Sequence, residues 1–373
     1  MSIVVQPYRE EHQPAVDQFN SRLKQGGADA ELVFFRYAEP RWLLKTEGTN
    51  LYQEYFLALN DGEALGGYAL KHQNFYFGDG NIRALGYYHH PLSEGIVNKS
   101  YAAVGTLLLK DAMNRAPLLY CLGMAGYDRP LPRMLVRLGW SHCLVPFYFK
   151  VVNPFRFLRE MQTLRSSGGR KVLMDLAAIT GTGWAATKVY QGTKQIVGPR
   201  VAPYNVHEVE DFSEWAEPLW EQAKSKYALT AVRDCRTLRT LYPASDNHFT
   251  RLRVSRGGKD IGWAVVGERR QDAKYGSMKV GSVVDCWAAP ENALAVVRAA
   301  GVALQRRGVD LIVSNQSHAA WGRALEQSGF FQGPSNFIFA ASKKLGALLE
   351  PFDKNKTGIH FTRADGDGLP RNF

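Results

Sequence analysis

The chain has 373 residues, and its 46 Lys and Arg outnumber 35 Asp and Glu to give a net charge of +11. Hydrophobic residues make up 45% and aromatics 12%, which excludes a disordered chain and is ample for two buried cores at roughly 100–200 residues per domain. The basic excess favours acidic partners (nucleic acid, an anionic membrane or a phosphorylated small molecule) without choosing among them.

Cys121, Cys143, Cys235 and Cys286 fall in no CxxC or Cys/His ligand spacing, so the expectation is reduced thiols, no metal and a cytoplasmic protein. The opening MSIVVQPYREEHQP has no charged start followed by an apolar core, and so does not read as a signal peptide. No run approaches the roughly 20 apolar residues needed to span a bilayer. The nearest, 172–190, is interrupted by Asp175, Gly181 and Gly183.

In chain order, 3–9 reads as a strand and 10–26 as a polar helix. Residues 55–61 alternate like a strand, turn at Asp61-Gly62 and return through 63–77, a hairpin signal. NIRALGYYHHP (81–91) reads as a third strand ended by Pro91, and 93–115 as a loop feeding a helix through Val104, Leu107, Leu108 and Ala112. LLYCLGM (118–124) has the apolar run of a strand buried on both faces. A short helix over 130–140 is closed by Gly139, and 143–152 reads as a last strand. In the second half, 206–242 is helical in character. A hairpin (FTRLRVS, DIGWAVVGER), a strand over 281–288, a helix over 290–308, a strand over 309–316, a helix over 319–330 and a strand over 336–342 follow.

The order therefore occurs twice. Gly66 falls on Gly262 at an offset of 196, and Gly139 on Gly329 at an offset of 190. A period this long means two domains rather than a solenoid. The expected boundaries are 1–158 and 201–350, with a basic and apolar linker over 159–200 and a tail over 351–373. Basic residues from Arg156 onward leave a peripheral membrane contact open over 156–190.

Hairpin, strand, loop-helix, buried strand, helix ending in RLGW (137–140) or QSGF (327–330), final strand: this order resembles the GNAT acyltransferase superfamily in both halves. The tandem arrangement also resembles the FemAB-like peptidyl transferases, and the ending HFTRADGDG (360–368) resembles tails of acyltransferase-like proteins from bacterial polysaccharide clusters. The resemblance implies an α/β (α+β) fold of two GNAT-like domains, each a mixed, mostly antiparallel twisted sheet flanked by helices. It implies an N-acyltransferase with acetyl-CoA or another acyl-CoA as donor and an amine or amino sugar as acceptor, in polysaccharide or envelope biosynthesis. A catalytically degenerate binding or scaffold protein is one alternative. A FemAB-like enzyme using aminoacyl-tRNA is another, and apart from that tRNA no nucleic acid is expected.

In that family the fourth strand splays from its neighbour to admit pantetheine, and the pyrophosphate rests on amides at the next helix start. The first-half loop SEGIVNKSYAAVG (93–105) offers Gly95, Asn98, Lys99 and Ser100 as donor-binding candidates, although the family pattern Gln/Arg-x-x-Gly-x-Gly/Ala lacks its second glycine when read from Gly95. In the second half Pro290 removes an amide and Glu291 adds unfavourable charge, so the first half is the expected donor site. The tyrosine that the family often places four residues before the LGF glycine is Leu135 in one half and Leu325 in the other. Proton-transfer candidates are therefore His89, with His90 pointing to the opposite face, Glu94, Tyr127 and Asp285. Asp285 reads equally as a base or as half of a buried salt bridge.

Overall fold

The computed structural model describes residues 3–154, 156–157, 201–270 and 278–366, so nearly all of the expected linker and membrane-contact segment lies outside the described residues. The first half comprises β1 (Val4–Pro7), α1 (Gln13–Gln25), β2 (Tyr52–Asn60), β3 (Glu63–Phe77), β4 (Ile82–Ser93), α2 (Val104–Arg115), β5 (Leu119–Gly123), α3 (Pro130–Arg137), β6 (Ser141–Leu144) and β7 (Phe147–Val151). The second begins with β8 (Asn205–Val209), α4 (Ala216–Ala223), β9 (Leu229–Ala231), α5 (Cys235–Leu241), β10 (Phe249–Arg256) and β11 (Lys259–Arg270). It continues with β12 (Lys279–Ala288), α6 (Ala293–Arg306), β13 (Leu311–Asn315), α7 (Ala319–Gln327), β14 (Phe331–Gly333) and β15 (Ile338–Ala341). A tail adds α8 (Lys343–Leu348), α9 (Phe352–Asn355) and β16 (Ile359–His360).

The duplication is visible in the turns. β2 and β3 are joined at Asp61-Gly62, and β10 and β11 at Gly257-Gly258. All four turn residues have positive φ, the two-residue geometry that matches strand twist. It is visible again where helix meets sheet. A Cβ on Gly66 would sit 2.7 Å from the Leu92 carbonyl and 3.1 Å from Val104 Cγ1. One on Gly262 would sit 2.6 Å from both the Trp287 carbonyl and Val296 Cγ2. Only glycine lets α2 and α6 lie that close to their sheets.

Both sheets are mostly antiparallel and helices flank them; the parallel pairs are β4–β5 and, off the main path, β9–β16 in the first sheet and β12–β13 in the second. Their edges do not follow the halves of the sequence. The first sheet runs β1-β2-β3-β4-β5-β15-β6 and the second β14-β7-β13-β12-β11-β10-β8. Each half thus donates a strand to the other's sheet. β15 lies between β5 and β6, and β7 between β13 and β14. The stretch 143–152, expected as one strand, is two. Pro146 sits at the break; it has no N–H to give a ladder, and the pieces on either side enter different sheets. The stretch 206–242, expected to be helical, contains β8 and β9. β9 pairs with β3 of the first half and with β16 of the tail, partners that no local pattern signals.

Ile338, Phe339, Ala340 and Ala341 of β15 are all at most 1% exposed, so the donated strand is core to the sheet it joins. Phe339→Ala is expected to cost about 3–5 kcal/mol. It should lower the unfolding midpoint of both halves together, as read by hydrogen exchange at increasing urea. A loss confined to the second half of the chain would contradict the exchange.

Candidate functional site: two wedges

Each parallel pair is short. β4 and β5 pair only at Gly86↔Leu119 and Tyr87↔Tyr120, and β12 and β13 only from Val280↔Leu311 to Ser282↔Val313. Beyond those points the strands diverge and leave a wedge in each half. The diverging strand also carries a bulge in both cases. His90 and Pro91 together oppose Tyr68, with His90 at φ 50°, and Val284 is the extra residue opposite Val265 and Val266. Pro91, expected to end its strand, sits in the bulge, and β4 runs on to Ser93.

The second wedge is filled by the protein itself. His360 Nε2 bonds the Cys286 carbonyl at 3.1 Å, Tyr227 donates to the Ala288 carbonyl at 2.6 Å, and Gln316 Nε2 reaches Cys286 Sγ at 3.2 Å. The His360 ring stacks on Trp321 and lies against Tyr227. Beside it is a buried ionic cluster. Arg233 Nε donates to Asp285 Oδ2 at 2.8 Å and Nη2 to Asp365 Oδ1 at 2.7 Å, all three side chains being at most 1% exposed. Tyr242 and Thr362 donate to Asp285, and the Thr362 amide donates to Asp365. Asp285 is therefore the buried salt bridge of its two readings, with its oxygens already bonded. For Asp365, burial alone would raise the carboxyl, but Arg233 and Lys71 outweigh it and hold it low.

The first wedge keeps more of its chemistry unspent. Tyr87 donates to the Leu122 carbonyl at 2.8 Å, standing in for the ladder that has ended. On the same face, His89 bonds Gln53 Oε1 through Nε2 at 3.2 Å and stacks on Tyr87, which leaves Nδ1 with the lone pair. Burial, helped by the neighbouring His90 and Lys71 charges, pushes the His89 imidazole down to about 3, so it is neutral at physiological pH. Lys71, 2% exposed, has its ammonium pushed down to about 8 by burial, partly offset by Asp365. On the helix side of β4, the Tyr88 hydroxyl is buried without a hydrogen-bond partner among the described residues.

Outside each wedge a groove runs between the two helices that follow the diverging strands. In the first half it measures about 380 Å³ and is lined by Thr106 of α2 and by Arg133, Met134 and Arg137 of α3. The second-half groove, about 370 Å³, is lined by Pro290, Glu291 and Arg323 among others. Arg133 and Arg323 stand six residues before Gly139 and Gly329, so the grooves are copies. They differ at the helix start. Val104 and Val296 touch equivalent glycines; the residue after Val104 is Gly105 and the one after Val296 is Val297. A Cβ on Gly105 would meet nothing nearer than Ser93 Oγ at 3.8 Å, whereas Val297 is a buried branched side chain.

The expected site residues are spread around this wedge. Glu94 is buried and clamped by Arg22, whose Nε lies 3.1 Å from both carboxylate oxygens. Gly95 permits a tight loop, since a Cβ there would lie 2.8 Å from the Tyr101 carbonyl. Asn98 accepts from the Ser100 amide, and Lys99 is exposed with no ion pair among the described residues. Tyr127 is 37% exposed and bonds His142 Nδ1 at 2.8 Å. Because α2 starts at Val104, the family pattern aligns with Ser100–Gly105 rather than with Gly95. It then has Ser100 at the Gln/Arg position, Ala103 in place of the first glycine, and ends on Gly105. Counting back from the helix start would have found Gly105. Lys71 and Tyr88 carry no signal in the sequence.

No family model and no curated protein matches the chain. Solved structures do. A probable N-acyltransferase of Enterococcus faecalis V583 superposes with a TM-score of 0.53 at 11% identity, over 94% of this chain and 75% of that one. A GCN5-related N-acetyltransferase of Anabaena variabilis gives 0.53 at 10%, over 91% and 72%. The N-myristoyltransferase of Saccharomyces cerevisiae, solved with myristoyl-CoA, gives 0.53 at 11%, over 91% and 82%. The fold is a duplicated GNAT-like fold. At such identity the likeness is one of architecture, and it spans both halves. All four cysteines of the GNAT-like pair are free thiols, and no helix among the described residues is long and apolar enough to cross a membrane.

Burial pushes the His360 imidazole down to about 3 and that of His318 down to about 4. The unfolded chain takes up those protons first as pH falls below about 6.5, so native stability should fall with acid between about pH 6.5 and 3. Each histidine contributes a slope of about 1.4 kcal/mol per pH unit in that window. His360→Asn is expected to flatten the urea-unfolding profile there; an unchanged slope would contradict the tail's burial in the second wedge.

Proposed function

We propose that the protein is an acyl-CoA-dependent N-acyltransferase that binds its donor in the first wedge. The carrying observation is the asymmetry of the two copies. In the second, His360 and Tyr227 bond the carbonyls of the diverging strand, and a valine follows the helix contact. In the first, the bulge opens beside Gly105 and a groove bearing Arg133 and Arg137. A helix start with an uncovered glycine offers amides to a pyrophosphate, and arginines suit its charge. Ser100, Asn98 and Lys99, in the turns that lead into α2, complete the anion-facing set; Gly95 shapes that approach.

The proposed chemistry is attack of a neutral amine on the thioester carbonyl. His89, neutral and carrying the Nδ1 lone pair, accepts a hydrogen bond from the attacking amine and orients it, the proton that the amine sheds passes to solvent, and Tyr88 hydrogen-bonds the departing thiolate. Burial keeps the Tyr88 hydroxyl protonated by raising it well above its usual value. Glu94 and Asp285 serve as structure in this reading, and Tyr127 lines the approach to α3. The acceptor is an amine or amino sugar, and the tail's resemblance supports a place in polysaccharide or envelope biosynthesis.

Titration with acetyl-CoA and with myristoyl-CoA should raise the melting temperature; saturation at a hundredfold excess over Kd corresponds to about 2.7 kcal/mol. Gly105→Val fits the open space without a clash and should abolish the shift while leaving the melting temperature of the free protein intact. Arg133→Glu should weaken donor binding and Arg323→Glu should not. Binding without turnover on any amine would favour a degenerate binding module, and no shift with either thioester would overturn the reading.

A further inference from the structure

The first sheet ends at β6, a strand of four residues with no neighbour on its outer side among the described residues. α3 packs on one face of that end, where Leu135 and Trp140 meet Ala340. α8 packs on the other, where Leu345 and Leu349 meet Phe339 and Ala341. The two helices close around the edge. A Cβ on Gly139 would lie 3.2 Å from Lys343 Cε, and one on Gly346 would lie 2.6 Å from Ser141 Oγ. What this edge turns outward is unusual for the molecule. Val136 and Leu138 at the end of α3, Leu144 of β6 and Leu348 of α8 are each 40–48% exposed. Alongside them stand Arg129, Arg133, Arg137, Lys343 and Lys344, all exposed and none with an ion pair among the described residues. Elsewhere Arg22, Arg83, Arg115 and Arg253 each answer a carboxylate. The stretches 129–144 and 338–349 hold no Asp or Glu at all; Asp128 and Glu350 only flank them.

We infer that this edge seats on an anionic membrane surface. Cations interleaved with exposed aliphatic side chains, and no acid among them, suit a face that lies in the headgroup layer. The charges draw it to anionic lipid and the apolar groups enter the acyl boundary. Two other acidic partners fit less well. Nucleic acid is held by Lys and Arg on phosphates and, when single-stranded, by bases stacked on aromatic rings. Tyr127 is the exposed aromatic of this edge, and it is engaged edge-on with the His142 ring, which its hydroxyl also bonds. Four exposed aliphatic side chains would have no role there. An acidic peptide added as a strand needs a longer ladder than β6 offers before Val145-Pro146 ends it. The surface is separate from the segment 156–190. Arg133, Arg137 and Leu138 also line the groove beside α3, so a seated edge holds that groove at the lipid surface. That orientation gains meaning from the proposed donor site; the lipid contact itself does not rest on it.

The test is co-sedimentation of the full-length protein with vesicles of phosphatidylcholine, with and without phosphatidylglycerol, compared with binding to oligouridylate and to polyglutamate. The protein should bind the mixed vesicles and not phosphatidylcholine alone. Lys343→Glu with Lys344→Glu should weaken that binding roughly tenfold or more. Lys110→Glu with Lys259→Glu makes the same change in net charge at exposed sites elsewhere and should leave it within about twofold. Leu144→Ser with Leu348→Ser should weaken vesicle binding at fixed charge, with the melting temperature unchanged. No binding to mixed vesicles, binding unchanged in either edge variant, an equal loss in the Lys110 and Lys259 control, or tighter binding to oligouridylate or polyglutamate than to vesicles would each overturn the inference. Vesicle binding in a protein that ignores acyl-CoA would uphold the surface and sink the proposed function.

Discussion

The arrangement depends on the mutual exchange of β7 and β15. Each occupies the slot beside the parallel strand of the opposite sheet, so neither sheet is complete within its own stretch of chain. The exchange fixes the halves face to face. That juxtaposition carries the tail through the junction, where Tyr120 of the first sheet donates to the Asp365 carbonyl and Arg233 of the second half holds the Asp365 carboxylate. A buried ion cluster of this kind is poor as a source of net stability, but removing one member strands the others, at about 3–5 kcal/mol. It therefore acts as a register pin: the tail is tolerated only where Thr362 and Asp365 meet Arg233 and Asp285.

Duplication has left one wedge as structure and one as candidate chemistry. In the second copy the chain's own histidine, tyrosine and glutamine satisfy the diverging strand, and Trp287 and Trp321 close around them. In the first copy the buried polar groups of β3 and β4 are less well paired. Lys71 is held at a lowered pKa by burial, and Gln73 and Tyr88 lack partners among the described residues. Natural folds seldom leave such groups buried without use, and perturbed ionisable groups concentrate at functional sites.

Much of the fold was legible in the chain. Period-two runs around Asp61-Gly62 announced the first hairpin, the apolar run at 118–124 announced a strand buried on both faces, and the paired glycines at 66 and 262 announced the repeat. What failed was anything set by a distant partner. Nothing local tells that Val145-Pro146 parts one strand into two sheets, or that Leu229–Ala231 is a strand, because the pairing energy comes from chain more than 100 residues away. The candidate site was legible as a loop before a helix, without its detail. In the loop 93–105 the pattern was anchored on Gly95, whose lack of a side chain serves the close approach to Tyr101, whereas the start of α2 puts Gly105 at its end. Asp285 stood out as a carboxylate in an apolar strand, and only the fold could show Arg233 waiting for it. Gln73 and Lys71 looked like the polar side of an ordinary alternating strand until the second half covered them.

The most direct measurement is photo-crosslinking with an acyl-CoA carrying a diazirine in its acyl chain, followed by peptide mapping. The account expects label on the strands that bound the first wedge, residues 87–91 and 120–124, and none on 283–288 or 313–317. Label on the second set, or label spread over the surface and not competed by unmodified acyl-CoA, would contradict it.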